Sequence, residues 1–375
     1  MTRVLLLALL GLTTAAPAPK PLSAGTGTIY LGAYSGHILG VDEATEKVVA
    51  QIPLTTGAPF AVHLSTDRSR FYVESANEEH FEVVDIAGRK SIDSFTLSEG
   101  RTQVRAMTYE ADPQNRMLVL IARTTTKLMD RFEIGPPEFI QYDLKEHKIV
   151  KRVPWAGDNE PRYYGLTLRF SPDGKLLYAF GDEVTIYDAA TLTQVDSWDL
   201  GLPNEPDLGR FNPGSMDEGA DAPGTYTSLF TTRDAIGKRR MLVVGRVNLS
   251  AKSIDYFPLG PQPVTGSLSL AMAKDRKRGY ILRQEIGHYE LWTIDMAAQQ
   301  VVSQVPFKGR PRLALATSSN GQILYLHQAG STIDLYSADD FKLLRTITLG
   351  SDMMYGTFFV LPAAAPAPRP STASR

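Results

Sequence analysis

The chain has 375 residues and a formal net charge of −2, with 43% hydrophobic and 21% charged residues. This balance can build a sizeable core, and it excludes the strongly basic surface that nucleic-acid-binding proteins need. Because the sequence contains no cysteine, it excludes disulfides, thiolate-bound metals and covalently attached c-type haem in this chain, so its core alone must hold the fold together.

The first 24 residues have the pattern of a signal peptide followed by a short linker. Arg3 precedes an uninterrupted apolar run at positions 4–10, and small residues follow at positions 13–16. This run is typical of a secretory signal peptide and is too short to be a membrane anchor. The alternative is a buried strand or helix of the mature fold. We interpret residues 1–24 as a signal peptide and linker, and expect a periplasmic or secreted protein without a membrane anchor.

A unit of four predicted strands recurs along residues 25–361. In its clearest copy, residues 166–201, the Ser-Pro-Asp-Gly sequence at 171–174 predicts a tight turn, because proline presets φ and glycine tolerates a positive φ. Alternating apolar and polar residues at 195–200 indicate the fourth strand of that copy. The third strand of each copy ends on an equivalent residue, in chain order Asp42, Asp85, Asp143, Asp188, Asn248, Asp295 and Ser337.

The spacing of these markers predicts the fold. Four of the six gaps between them are 42–47 residues long, and the other two are 58 and 60. Seven copies of four strands predict an all-β fold, a seven-bladed β-propeller. The first copy starts at its second strand, and residues 355–360 match the missing inner strand, so blade 1 is expected to be closed by both termini. Residues 362–375, which are rich in proline, alanine and serine, are expected to be a disordered tail.

The two long gaps locate insertions at residues 124–139 in blade 3 and 202–224 between blades 4 and 5. Both insertions and the connection at 154–164 are expected on one face of the propeller. Loops this long in compact domains are usually functional or disordered; the alternative is loop growth without a function. We expect a raised aromatic and acidic rim that forms a partner or ligand face, with these candidate residues: Asp130, Arg131, Phe132, Trp155, Tyr163, Tyr164 and Phe211.

Other polar residues give weaker signals. Imidazole suits zinc, copper or iron, but loops on adjacent blades diverge, so we interpret four histidines of the predicted strand-two-to-three loops as ordinary polar residues: His37, His80, His288 and His327. Five acidic loop residues are either solvated or paired for acid–base chemistry: Asp158, Glu160, Asp217, Glu218 and Asp221. The sequence carries no nucleophile elbow, zinc-protease or phosphate-loop motif. We assign no catalytic, cofactor-binding or metal-ligating residue.

Four stretches resemble the β subunit of quinohemoprotein amine dehydrogenase: residues 28–54, 124–144, 221–257 and 334–360. The most specific part is the insertion that carries Asp130, Arg131 and Phe132 before the prolines at 136 and 137. The resemblance implies a periplasmic propeller without a cofactor of its own. It further implies two partners, a dihaem subunit and a small subunit that carries a cysteine-derived quinone and oxidises amines.

A second interpretation is a stand-alone exported propeller of the YVTN or lactonase-like kind that binds a small ligand in its central channel. Such a protein needs polar groups that converge at the channel mouth. A docking subunit would instead expose an apolar, aromatic patch around Phe132, Trp155 and Phe211. The two interpretations therefore differ in where the structure should place its functional side chains.

Overall fold

The structure is a computed structural model, which describes residues 22–155, 166–181, 183–199, 212–216, 222–234, 236, 239–263, 267–328 and 330–363. The described residues form 28 β-strands and no helix. Accordingly, the described part of the chain has no helix long and apolar enough to cross a membrane.

The strands follow in chain order. The first seven are β1 (Thr28–Ala33), β2 (His37–Asp42), β3 (Val48–Pro53), β4 (Pro59–Leu64), β5 (Arg70–Ser75), β6 (His80–Asp85) and β7 (Lys90–Thr96). Next come β8 (Thr102–Ala111), β9 (Met117–Lys127), β10 (Phe132–Ile134), β11 (Glu138–Asp143), β12 (Lys148–Pro154), β13 (Thr167–Phe170), β14 (Leu176–Phe180), β15 (Val184–Asp188) and β16 (Gln194–Trp198). The last twelve are β17 (Asn212–Met216), β18 (Thr225–Arg233), β19 (Arg240–Asn248), β20 (Ser253–Pro261), β21 (Ser267–Met272), β22 (Arg278–Glu285), β23 (His288–Asp295), β24 (Gln300–Phe307), β25 (Leu313–Thr317), β26 (Ile323–Gln328), β27 (Gly330–Ser337) and β28 (Leu343–Leu361).

These strands form six sheets. Four sheets have four consecutive strands each, namely β4–β7, β13–β16, β17–β20 and β21–β24, and a fifth contains β8–β12. The sixth has seven strands in the order β25-β26-β27-β28-β1-β2-β3. Its central strand, β28, is 19 residues long: Thr346 pairs with Asp334 of β27, and Phe359 pairs with Tyr30 of β1. The C-terminal strand therefore joins the end of the fold to its beginning.

Burial along each strand depends on its position within its sheet. Residues 118–122 of β9 are all fully buried, because neighbouring sheets cover both faces of a second strand. The fourth strands β7 and β12 alternate between exposed and half-buried residues, since one of their faces meets solvent. The sequence patterns that predicted central and outer strands thus reflect two different packing environments.

Hydrophobic clusters join each sheet to the next. The cluster between the β8–β12 and β13–β16 sheets contains Ile121, Phe139 and Leu177, and other clusters join the remaining neighbours. A further cluster, with Leu31 and Tyr325, joins the two ends of the seven-stranded sheet. Because the series of contacts returns to its start, the chain forms an all-β propeller.

The repeated marker residues are turn residues. Asp188 Oδ1 accepts hydrogen bonds from the backbone amides of Ala190 and Thr191, at 3.1 and 2.7 Å. Asp143 accepts from the equivalent amides, and the bond from the Glu146 amide is the largest of the effects that lower its pKa. The markers therefore close the turn between the third and fourth strands, as expected from their spacing.

Glu43 connects the two ends of the fold. Its buried carboxylate accepts hydrogen bonds from the Gly27 amide at 2.7 Å, the Ser319 amide at 2.9 Å and the Tyr325 hydroxyl at 2.8 Å. A Cβ at position 27 would lie 2.5 Å from the Leu361 carbonyl oxygen, so only glycine fits there. The residue before β1 is therefore held against the last residue of β28.

Candidate functional site

The insertion at residues 124–139 forms a β-hairpin that projects from its sheet. The first part of β9 pairs with β11, and its last three residues pair with β10, where Phe132 lies opposite Lys127 and Ile134 opposite Thr125. The Leu128 amide donates to the Arg131 carbonyl at 2.8 Å and closes the turn. On its other side, β9 pairs with β8 as far as Thr126. Residues 124–137 are termed the projecting hairpin. They continue the sheet of this blade beyond the point where its second strand, β9, stops pairing with its third strand, β11.

The projecting hairpin exposes large apolar side chains. Met129 in its turn is 97% exposed, and Phe132 and Ile134 on β10 are 61% and 65% exposed. Phe132 and Ile134 are two residues apart on one strand, so they lie on one face. Arg131 forms ion pairs with its neighbours Asp130, at 3.3 Å, and Glu133, at 2.9 Å. Exposed apolar residues concentrated on a projecting element are typical of a protein-binding surface.

Trp155, which the sequence placed on the exposed aromatic rim, is half-buried in the packing between sheets. Its ring lies 5.2 Å from that of Phe139 and 6.0 Å from that of Tyr187, between ring centroids. Its amide donates to the Pro137 carbonyl at 3.0 Å, which ties the base of the hairpin to the sheet. Trp155 therefore supports the hairpin from below and is not an exposed anchor.

The remaining candidates of the predicted rim lie outside the described residues. These are Tyr163, Tyr164 and Phe211, together with the acidic residues Asp158, Glu160, Asp217, Glu218 and Asp221. Of the seven predicted face residues, the structure places Asp130, Arg131 and Phe132 together on the projecting hairpin.

The second predicted insertion, residues 202–224, is not a single loop. Residues 212–216 form β17, the first strand of its sheet, where Asn212 pairs with Thr231 and Met216 with Ser228 of β18. Residues 222–224 consequently belong to the turn between first and second strands, and Gly224 lies against Pro172 in the equivalent turn of the preceding sheet. Because the strands are antiparallel, this turn lies on the face opposite the projecting hairpin. The prediction that the whole insertion rises beside the hairpin is wrong.

The four histidines do not come together. His37, His80 and His288 each begin a third strand, at the start of β2, β6 and β23. His327 lies within β26 and is fully buried, which lowers its pKa; its Nδ1 is 3.0 Å from the Thr332 carbonyl oxygen. Among the described residues, no group of three or more histidine and acidic side chains is close enough to hold a metal ion.

A polar cluster that the sequence analysis missed lies on the first strands, which contact one another around the propeller axis. Arg169 of β13 approaches Glu110 of β8 at 3.2 Å, and His63 Nδ1 of β4 lies 3.7 Å from the same carboxylate oxygen, Glu110 Oε2. The side chains of Arg169, Glu110 and His63 are only 4%, 14% and 24% exposed. Each is the last residue but one of its strand. A polar residue at this shared position of a first strand is the sequence signal that could have revealed the cluster.

Two cavities open on the face opposite the projecting hairpin, and the smaller one adjoins this cluster. One, of about 280 Å³, is lined by Arg68, Glu110 and Arg169 among others. The other, of about 410 Å³, is lined mainly by residues of β21, β25 and β28, including Leu315 and Phe358. Arg68 lines both cavities. The two cavities are therefore neighbours that share one arginine.

No protein-family model and no curated protein sequence matches this chain. Solved structures resemble it in fold, and they include the following three. Hydrazine synthase of Kuenenia stuttgartiensis matches over 92% of this chain and 100% of that chain, with a TM-score of 0.51 and 16% identity. The periplasmic gluconolactonase of Pseudomonas aeruginosa matches over 90% and 99%, with 0.53 and 14%. A dihydro-heme d1 dehydrogenase matches over 92% and 78%, with 0.53 and 11%. At these identities the chain shares with them the β-propeller fold.

Proposed function

We propose that this chain is an exported propeller subunit that holds partner proteins through its projecting hairpin. The observation that carries the proposal is the concentration of three exposed apolar residues, Met129, Phe132 and Ile134, on an ordered hairpin. The resemblance to the amine dehydrogenase β subunit supports our choice of partner proteins. The partners are a dihaem subunit and a small quinone-bearing subunit, and this chain scaffolds them without a cofactor of its own.

The energetics of the hairpin favour docking. Burying a large apolar side chain contributes about 1.5–3 kcal/mol, so Phe132 and Ile134 together offer several kcal/mol to an interface. The ion pairs of Arg131 with Asp130 and Glu133 are exposed and contribute little to folding. These charges are therefore available to form the polar rim of an interface around an apolar centre.

We further infer that the ring has seven blades. Each of the five shorter sheets supplies one blade. The seven-stranded sheet supplies two if β28 is shared, with its first part as the outer strand of one blade and its last part as the inner strand of the next. The pairing of Phe359 with Tyr30 supports closure of the first blade by both termini.

Export makes a prediction of its own. Residues 1–21 lie outside the described part of the chain, and β1 begins only at Thr28. We expect protein recovered from the periplasm to begin between about Ala16 and Gly25, because a short apolar run followed by small residues is typical of signal-peptide cleavage. N-terminal sequencing and intact mass measure this directly. Retention of Met1 on the soluble, folded protein would overturn the assignment.

The docking proposal predicts that hairpin side chains are needed for binding and not for folding. The variant Phe132→Ser/Ile134→Ser should keep its thermal midpoint within a few degrees and lose at least about tenfold in binding to a haem-containing partner. The readout is haem absorbance that co-elutes with the tagged protein from native periplasm. The matched control is Val195→Ser/Val302→Ser, which replaces apolar residues that are 56% and 53% exposed on outer strands of other sheets.

Three outcomes of this co-elution experiment test the docking proposal. Retained haem in the control and its loss in the hairpin variant support the proposal. Equal loss in both variants contradicts it, because the effect would then follow surface hydrophobicity in general. If the unaltered protein elutes as a monomer without haem, the subunit proposal fails and the stand-alone propeller replaces it. That second candidate is favoured by one observation, the convergence of His63, Glu110 and Arg169 at the channel.

A further inference from the structure

Exposed apolar side chains in the strand connections concentrate on the face that carries the projecting hairpin. Within the described part of the chain, the connections from a second to a third strand expose Tyr34, Met129, Ile236 and Ile286. The described connections on the opposite face expose no large apolar side chain. Ile236 and Ile286 are 92% and 89% exposed, and they lie in turns of two neighbouring sheets, β17–β20 and β21–β24.

Basic residues surround these two isoleucines. The β18–β19 turn carries three of them around Ile236, and the connection from β24 to β25 carries three more. That connection lies beside the turn of Ile286, because Gln284 accepts from the Leu313 amide at 2.7 Å and donates to the Leu313 carbonyl at 2.8 Å. Residues 233–240, 285–288 and 308–312 are termed the basic sector. Its described basic residues are all exposed: Arg233, Arg239, Arg240, Lys308, Arg310 and Arg312.

The charge balance of the basic sector differs from that of the projecting hairpin. The described residues of the sector include six basic and two acidic side chains. Both acidic residues form ion pairs, Asp234 with Arg239 and Glu285 with Arg283, each at 3.1 Å. The projecting hairpin has two basic and two acidic residues. The same face of the propeller thus has one apolar element with balanced charge and one with an excess of positive charge.

We propose that the basic sector binds the surface of an anionic phospholipid bilayer, with Ile236 and Ile286 inserted at the headgroup boundary. Basic residues attract anionic headgroups, and apolar side chains are stabilised by burial in the interface. A protein interface has an apolar centre depleted of charge, whereas these isoleucines lie in separate turns with basic residues around them. The contact is peripheral and reversible, unlike a membrane anchor. It is independent of docking by the projecting hairpin, which belongs to another sheet.

The test is cosedimentation of the protein, purified from the periplasm, with lipid vesicles. One set contains phosphatidylcholine alone, and the other contains phosphatidylcholine and phosphatidylglycerol in equal parts. We expect at least about tenfold stronger binding to the anionic vesicles. This difference should decrease as salt is added, because salt screens exposed charges. Equal binding to the two sets, or binding to neither, would overturn the proposal.

The insertion of the isoleucines is tested by Ile236→Ser/Ile286→Ser. This variant should bind anionic vesicles at least about tenfold more weakly and keep its thermal midpoint, because both side chains are exposed in the folded protein. The matched control is Phe132→Ser/Ile134→Ser, which replaces exposed apolar residues on the same face and should retain vesicle binding. Equal weakening by the two variants would contradict the basic sector as the contact. Because the vesicles contain no partner protein, failure of this test would not bear on docking by the hairpin.

The contribution of charge is tested by Lys308→Gln/Arg310→Gln. Binding to anionic vesicles should weaken at least about fivefold, with a smaller dependence on salt, because fewer charges then face the headgroups. The matched control is Lys274→Gln/Lys277→Gln, which removes two exposed cations from the β21–β22 turn on the opposite face. This control should bind as the unaltered protein does. Equal weakening by both variants would contradict the proposal, since the effect would then follow net charge and not the basic sector.

Discussion

Deletion of residues 355–375 is expected to unfold the whole protein, whereas deletion of residues 363–375 should leave its thermal midpoint unchanged. The longer deletion removes the part of β28 that pairs with β1, where Phe359 lies opposite Tyr30. It also removes Phe358, which packs against the cluster that joins the ends of the seven-stranded sheet. Residues 358–361 are four apolar residues, and full burial of each such side chain contributes about 1.5–3 kcal/mol, so the loss is comparable with the stability of a typical domain. The shorter deletion keeps every residue of β28.

The measurement is thermal unfolding followed by circular dichroism. A circular permutant supplies the control: a flexible glycine–serine linker joins residue 363 to residue 22, which keeps Gly27 and its hydrogen bond to Glu43, and new termini are opened at Ile286, which is 89% exposed in the β22–β23 turn. The permutant keeps all strand pairs and should fold, since exposed turns tolerate new termini. Equal thermal midpoints for the two deletions would contradict closure by the C-terminal strand.

Glu74→Gln is expected to stabilise the protein at alkaline pH and to flatten the dependence of stability on pH. Glu74 is 6% exposed on β5, and its Oε1 has no hydrogen-bond partner within the described structure. Burial raises the pKa of Glu74 to about 8, an effect that nearby His63 reduces and Glu78 increases. The unfolded value is about 4.3. The folded state therefore binds the proton more tightly, and the stability that this carboxyl contributes is complete below its unfolded pKa and is lost as the pH rises through about 8.

The free energy of unfolding of the unaltered protein should therefore fall by on the order of 4 kcal/mol between about pH 5 and pH 9 on account of this group. Guanidinium unfolding at both pH values measures it. Glu82→Gln is the matched control, because Glu82 is fully buried on β6 but accepts hydrogen bonds from the Thr55 and Thr56 amides at 2.9 and 3.1 Å. The amide keeps one oxygen that can accept both bonds, but it loses the charge that strengthens them and places an NH2 group where Oε1 also accepts from the Thr55 amide at 3.1 Å, so this variant should be destabilised by about 1–3 kcal/mol. Destabilisation by Glu74→Gln at pH 9 would contradict the account.

The parts of the fold that the sequence predicts are those set by local chemistry. Asp188 and its equivalents recur because each closes the same turn, so their spacing reveals the repeat. The closing strand at 355–360 is predicted because the first copy of the repeat lacks its inner strand, and the structure places these residues within β28. That β28 continues without a break from the preceding blade was not predictable, because continuity depends on how two neighbouring sheets are oriented.

β17 was missed because its sequence resembles a turn. It contains Pro213 and Gly214, residues that are depleted in strands. β17 is a strand because it pairs with β18 as the first strand of its sheet. This pairing cannot be seen in the local sequence of β17.

The hairpin could be located from the length of its insertion, but its exposed side chains could not be separated from supporting ones. Phe132 and Trp155 are both large aromatic residues in long connections, and only the packing of Trp155 against Phe139 distinguishes them. In the sequence, His63 and Glu110 are polar residues of strands in which apolar and polar residues alternate, so they look solvent-exposed. Only the ring arrangement brings these first strands together around one axis.

The most direct test of docking is site-specific photo-crosslinking in the periplasm. A benzophenone amino acid is placed at Met129 in the hairpin turn or at Ile286 in the β22–β23 turn; these residues are 97% and 89% exposed, and both lie in connections between second and third strands. Crosslinking from position 129 to a haem-containing polypeptide, with none from position 286, is the predicted result. Equal crosslinking from both positions, or none from position 129 in cells that contain the partner, would contradict docking through the projecting hairpin.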